Sequence, residues 1–397
     1  MLKYLQVFCI LYLSNSIHTG TIDEHPQFGK YKLVLDANWR WVHFNGNYQN
    51  CYDGDWKCDN CDDCILEGIA KNKYDETYGI REKNNGIELQ FVTKSNVGSR
   101  LYLLDNNKYV FPNLINSQIS FNIDLSELPC SLNSAVYLVE MKSTNLDIYG
   151  VGYGDAQCPT DIKYFSDGRV NKYKEQMCAN EIDLVEANME AMAWTLHPCI
   201  NNDCYKNGAD ANSYRQGFKD FYGPGKTIDT RQPFTVITQF IGDPLYEIKR
   251  FYKQNDKLIE HPGGSLTSES IAKWFKYYNE PNDFEKYGGF KSLTESLKRG
   301  MVLVFSIWDD PATKMKWLDS NDRGPCNNNN DPRLTHPNVK VRFSDIIIEN
   351  LKTNPDIDNC KINFGDHCVI SYDTDNDKYL LITNTKTNRV RKILLDD

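Results

Sequence analysis

The chain has 397 residues, with 45 Lys and Arg against 54 Asp and Glu, a net charge of −9. That balance excludes a role resting on a basic footprint, such as gripping nucleic acid or an anionic membrane surface. A content of 40% hydrophobic and 25% charged residues excludes a disordered tail, and 12% aromatics suit a many-stranded fold with stacking surfaces for a ligand.

At the N-terminus, Lys3 precedes the apolar run Leu5 to Leu13, and small and polar residues follow up to Thr19-Gly20. This pattern predicts a signal peptide over residues 1–20 and a secreted, extracellular protein. The run is too short to span a bilayer, which needs roughly 20 residues. Of thirteen cysteines, Cys9 leaves with the signal, and an even set of twelve remains: Cys51, Cys58, Cys61, Cys64, Cys130, Cys158, Cys178, Cys199, Cys204, Cys326, Cys360 and Cys368. In an oxidising compartment these read as disulfides. A zinc site at Cys58, Cys61 and Cys64 is the competing reading, weakened by the lack of a second Cys-x-x-Cys or a nearby His pair.

Strand-like segments then dominate: Tyr31 to Leu35, Gly86 to Thr93, Arg100 to Leu104, Gln118 to Ile123, Ala135 to Met141, Phe234 to Phe240 and Met301 to Ile307. Each alternates or runs apolar over five to eight residues, with Gly, Asn, Asp or Pro clusters between them. Helical patterns are few, Ser268 to Asn279 being the clearest and Gly289 to Leu297 a weaker second. The combination predicts an all-β antiparallel sandwich or jelly roll. A boundary near Asn354-Pro355 separates a main domain over 21–354 from a small β-rich extension over 355–397, whose role the sequence leaves open. Within the extension, Asp373 to Asp377 resembles the start of a calcium loop, but without Gly at the sixth position or Glu at the twelfth it reads as a hairpin turn. No metal or cofactor is implied.

The informative segment is Glu181-Ile182-Asp183-Leu184-Val185-Glu186-Ala187-Asn188. In a strand Glu181 and Asp183 share a face, whereas Glu186 has the wrong parity. One β-bulge between Asp183 and Glu186 restores it, and bulges are common beside active sites. Carboxylates crowded on one face raise at least one another's pKa, giving a protonated acid beside an ionised partner. Retaining glycoside hydrolysis needs that pairing, with the two carboxyl groups about 5–5.5 Å apart. On spacing alone, an exposed acidic strand remains the alternative.

Together with its neighbours this segment resembles glycoside hydrolase family seven, the secreted cellulases. The family's Glu-x-Asp-x-x-Glu-Ala-Asn signature ends in His-Pro-Cys, here His197-Pro198-Cys199. Matching segments recur at Leu35 to His43, Ser95 to Tyr102, Gln157-Cys158-Pro159, Phe221 to Gly225, and Met301 to Asp310 with Trp317 to Ser320. The resemblance implies a concanavalin-like β-jelly roll of two curved antiparallel sheets with a substrate groove across the concave one. It implies Glu181 as nucleophile, Glu186 as general acid/base and Asp183 as the residue tuning the nucleophile's protonation. His197 would lie beside the acid/base, Asp155 and Gln157 near the nucleophile, and Tyr137, Asn133, Asn96 and Arg100 close to substrate. Trp41, Trp308 and Trp317 match stacking platforms for glucosyl rings, Trp39 less firmly, and Arg215 and Arg323 match contacts on the leaving-group side. Trp56, Trp194 and Trp274 read as structural. By position the cysteines would pair Cys51–Cys64, Cys58–Cys61, Cys130–Cys326 and Cys158–Cys178, leaving Cys199–Cys204 and Cys360–Cys368. The expected partner is cellulose or another β-1,4-glucan chain, bound by a monomer.

The sequence departs from the family pattern at loops. The stretch from Asp167 to Cys178 is short, Cys199 to Tyr214 lacks a Gly/Tyr/Asn-rich insertion, and Ser320 to Cys326 is abbreviated, where tunnel-forming members roof the groove. An open cleft favours an endo-acting β-1,4-glucanase over a reducing-end cellobiohydrolase, although Ser265 to Gly289 remains able to cover one end. Ala156, Ala211 and Pro311-Ala312-Thr313 replace the Ser, the Trp and the tyrosine-bearing loop frequent in the family, changes aimed at leaving-group-side affinity. A mixed-linkage or β-1,3-glucanase is a related alternative. A carbohydrate-binding lectin is one of another class, and it predicts eroded carboxylates.

Overall fold

The computed structural model describes residues 23–142, 149–327 and 329–351, together with the backbone of three C-terminal strands. The expected signal peptide, the calcium-like segment and the Cys360–Cys368 pair lie outside the described residues. By contacts the chain divides into two units, 1–349 and 350–397. The second contains an antiparallel sheet of Cys368–Tyr372, Tyr379–Asn384 and Arg389–Leu394.

The first unit is a jelly-roll sandwich. Its inner sheet runs in the order Gln27–Phe28, Tyr31–Leu35, Ser99–Asp105, Met301–Trp308, Asn133–Glu140, Glu181–Ala187, Met192–His197, Ala209–Asn212. The outer sheet runs Lys257–Glu260, Glu247–Gln254, Phe234–Ile241, Ser117–Asp124, Lys340–Asn350, Gly86–Gln90, Ile80–Lys83. Burial explains the two kinds of strand sequence. Phe234–Ile241 alternates buried and half-buried residues because one face meets the core and the other meets solvent. Met301–Trp308 is buried along nearly its whole length, since both its faces are covered. The sheets meet through side chains such as Phe305, whose ring lies 5.2 Å from Phe343 of the outer sheet and 5.0 Å from Phe28. Truncating Phe305 to Ala removes both contacts and costs about 3–5 kcal/mol.

Helix Ser268–Tyr278 begins at the expected Ser, with Thr267 as its N-cap in a capping box with Ser270. It ends at Asn279 in the left-handed region and buries Ile271 and Phe275. Helix Gly289–Arg299 buries Phe290, Leu293 and Leu297 at helical spacing. Among the described residues no helix is long and apolar enough to cross a membrane.

Five disulfides are formed: Cys51–Cys64, Cys58–Cys61, Cys130–Cys326, Cys158–Cys178 and Cys199–Cys204. Cys58, Cys61 and Cys64 therefore hold no free thiolate for zinc, which removes that alternative.

Candidate active site

Strand Glu181–Ala187 lies between Asn133–Glu140 and Met192–His197, and its register slips where the parity of its acids requires. Tyr137 pairs with Asp183 and Val136 with Val185, leaving Leu184 unpaired. On the other side Thr195 pairs with Asp183 and Ala193 with Glu186, so Trp194 alone faces both Leu184 and Val185. This two-against-one arrangement is a β-bulge. Ile182, Leu184, Val185 and Ala187 enter the core between the sheets, while Glu181, Asp183 and Glu186 face a cleft of ≈ 990 Å³.

The cleft floor follows from the same registers. Glu181 sits across from His197, Asp183 from Thr195, and Glu186 from Ala135 and Ala193. The Ala156 N–H donates to Glu181 Oε2 at 3.0 Å, and Asn133 Nδ2 donates to Glu186 Oε1 at 2.9 Å. His197 Nδ1 is 2.9 Å from the Tyr205 carbonyl, and its Nε2 is 3.0 Å from Asp183 Oδ2. A carbonyl can only accept, so Nδ1 carries a proton. Nε2 faces Asp183 at ion-pair distance.

Burial raises the pKa of Glu181, Asp183, Glu186 and Asp155, and mutual crowding adds to it at Glu181 and Asp183. Glu181 is 9% exposed. Burial pushes its pKa well above the usual carboxylate range, and the neighbouring Asp183 and Asp155 push it further. Burial and Glu186 raise Asp183 in the same way, while a hydrogen bond with Glu181 works against the shift. Burial raises Glu186 too, opposed by His197 and by the Asn133 hydrogen bond. Asp155 is also raised, by burial, although it accepts from the Tyr153 hydroxyl at 2.7 Å. Tyr153 in turn meets the Tyr137 hydroxyl at 3.1 Å, so a chain of hydroxyls runs beside Glu181 and Asp155.

Of the residues singled out from sequence, Trp39, Arg100, Tyr137, Asp155, Gln157, His197, Trp308, Trp317 and Arg323 line the cleft with the three carboxylates. Trp308 and Trp317 stand with ring centroids 6.0 Å apart, and Trp317 Nε1 donates to Asp310 at 3.3 Å. Arg100 is clamped by Asp36 at 2.9 Å and stacks on Tyr153. Four residues do not line it. Asn133 sits beneath Glu186. Asn96 bonds the Gly98 carbonyl of its own turn. Trp41 is 37% exposed and stacks with Tyr48. Arg215 is buried among Asp210, Asp322 and Glu280.

The structure also brings in residues that sequence reading passed over. Tyr153 had a signal, standing two residues before Asp155. Asp210 lines the cleft and fixes Arg323 at 2.9 Å. Phe275, Glu280 and Pro281 line it from the Ser265 to Gly289 stretch that the sequence left able to cover one end, although none of the three was singled out.

Comparison with known proteins follows the geometry. The sequence pattern of glycosyl hydrolase family 7 matches residues 16–354. Exoglucanase GH7B of Limnoria quadripunctata is 35% identical over 398 residues, covering 80% of this chain and 89% of that protein. Among solved structures, the cellobiohydrolase of Melanocarpus albomyces, complexed with cellotetraose, has a TM-score of 0.77 at 31% identity, covering 86% of this chain and all of that one (100%). The Humicola insolens endocellulase EGI has a TM-score of 0.73 at 28% identity, covering 83% and 97%.

Proposed function

Because the chain belongs to glycosyl hydrolase family 7, a family of cellulases, we propose that it is a secreted, retaining endo-β-1,4-glucanase. The observation that carries the chemistry is the bulge at Leu184, which gathers Glu181, Asp183 and Glu186 on one cleft face. The Glu181 carboxylate attacks the anomeric carbon as Glu186 delivers its proton to the departing glycosidic oxygen. The C–O bond breaks, and a glycosyl ester forms on Glu181. Glu186, now a carboxylate, takes a proton from water, whose oxygen displaces Glu181 and releases the sugar with its anomeric configuration retained. As Glu181 becomes an ester it loses its charge, and Asp183, hydrogen-bonded to it, is the acid placed to respond. Trp308 and Trp317 offer indole faces to the C–H faces of glucosyl rings.

The endo mode is supported by the Asp167 to Cys178 stretch and the Cys199–Cys204 hairpin, which stay clear of the cleft, although Lys206, Asn207, Gly208 and Arg323 from neighbouring stretches line it. No residue between Gln157 and Glu181 lines it, and Lys172 and Lys174 tie that stretch outward to Asp59 and Asp55. Between Cys199 and Tyr205 a tight hairpin also stays outside. A cellobiohydrolase is the second reading, favoured by the wall that Phe275, Glu280 and Pro281 add and by the 35% identical exoglucanase. The disulfides support an oxidising, extracellular setting. The test follows viscosity and reducing ends together on carboxymethyl-cellulose. A steep viscosity fall for few new ends is expected. Slow release of cellobiose with nearly flat viscosity would overturn the endo mode in favour of the second reading.

A further inference from the structure

The bulge is the feature on which the site depends, and its residue Leu184 is left out of the regular pairing with Asn133–Glu140. Strand Glu247–Gln254 of the outer sheet supplies the partner. Arg250, 1% exposed, reaches across the interior and donates from Nη2 to the Leu184 carbonyl at 2.6 Å. Its guanidinium carbon also lies 4.7 Å from the ring of Trp194, the residue that faces both halves of the bulge. One side chain therefore touches both strands at the irregular step.

Burying a guanidinium is unfavourable by several kcal/mol unless something compensates it. Among the described residues no carboxylate lies within ion-pair distance of Arg250, and its Nε and Nη1 lack an acceptor. Burial lowers its pKa, with Tyr252 favouring the charge. The adjacent His261, edge-on to Trp194, is pushed down to about 3 by burial and by Arg250, and so stays neutral. A residue kept in so unfavourable a setting, with Tyr252 beside it and its backbone contact made to the bulge, is best explained by what the bulge does.

We infer that Arg250 is a positioning residue for the hydrolysis: it pins the Leu184 bulge and thereby aims Glu186 at the leaving oxygen. The inference rests on the proposed acid/base role of Glu186. Without the pin, Glu181 keeps its place through Ala156, on the near side of the slip, while Glu186, beyond it, loses its aim.

The test compares Arg250→Met with wild type on cellotetraose and on an aryl cellobioside bearing an activated leaving group. The first needs protonation by Glu186; the second needs little. For Arg250→Met, kcat/KM on cellotetraose, which reports the step that Glu186 protonates, should fall roughly 10- to 100-fold, part of the range a general acid contributes. On the aryl cellobioside, kcat/KM should fall no more than about 3-fold, as expected when protonation matters little. Arg250→Lys keeps one charged donor and should restore part of the loss on cellotetraose. If the Met variant fails to fold, the Lys variant decides by the same contrast, at smaller amplitude. Equal losses on both substrates, no loss on either, or failure of both variants to fold would overturn the inference and leave Arg250 a framework residue. Glu186→Gln is the control. If it lacks the leaving-group contrast, the acid/base reading fails; if it has the contrast and Arg250→Met does not, only the present inference fails.

Discussion

Two buried glutamates on opposite sheets are treated in opposite ways. Glu88, on outer strand Gly86–Gln90, is 2% exposed and surrounded by cations: Arg342 at 2.7 Å, Arg81 at 3.4 Å, and Lys83 and Lys340 each at 3.6 Å. Burial raises its pKa, but Arg342, Lys340 and Lys83 outweigh that and leave it below the usual range. Glu181 is buried against Asp183 and Asp155, and its pKa goes up. The outer sheet uses a buried carboxylate to hold strands together, whereas the inner sheet keeps one at a cost to stability, as reactive groups demand.

The contrast is sharpest under substitution. Glu181→Gln should lower turnover by roughly 10⁴-fold or more, as removal of a nucleophile does, with the circular dichroism spectrum unchanged. Substantial residual activity would return Glu181 to a structural role. Glu186→Gln should lose roughly 10²- to 10⁴-fold on cellulose chains and much less on activated aryl glycosides, read from paired kcat/KM values, which report the glycosylation step. Glu88→Gln should do the reverse. Activity is kept, and stability drops by about 2 kcal/mol, measured by urea unfolding near neutral pH. The drop should shrink as the pH falls toward the folded pKa of Glu88, because a group whose pKa is lowered by folding stabilises only while ionised.

The fourth effect is smaller and has the opposite sign. The raised pKa of Glu181 means that its contribution is complete below its unfolded value, near 4, and is lost as pH rises through the folded value. Glu181→Gln has no such proton to lose. Its melting temperature relative to wild type should therefore rise with pH above that point, by the equivalent of about 1 kcal/mol per unit. A flat difference would mean that the cleft carboxylates do not strain one another.

Legibility from sequence followed the same division. Strands with one wet face, such as Phe234–Ile241, declare themselves by alternation. Lys340–Asn350 does not, because only Val341 and Phe343 are buried, while Ile346, Ile347 and Ile348 stay half-buried or exposed and blur the alternation. Helix Lys71–Tyr78 escaped because it buries only Tyr74, so no apolar stripe exists to read. At the site, the odd spacing of Glu186 from Asp183 made a bulge necessary, and the structure puts it at Leu184. What fixes the bulge was invisible. Arg250 lies 66 residues away along the chain and meets Leu184 only because two sheets pack face to face. Glu280, Pro281 and Asp210 likewise reach the cleft through tertiary packing, which no local pattern encodes.

The central claim, double displacement through Glu181, is tested most directly by trapping the glycosyl-enzyme. Incubation with an activated 2-deoxy-2-fluoro-cellobioside slows both steps, the second more when the leaving group is good, and intact-mass measurement then reads the adduct. The account predicts one added fluoro-cellobiosyl group, found by peptide mapping on Glu181 and absent from Glu181→Gln. An unlabelled enzyme that still turns over substrate, or a label on Glu186, would contradict it.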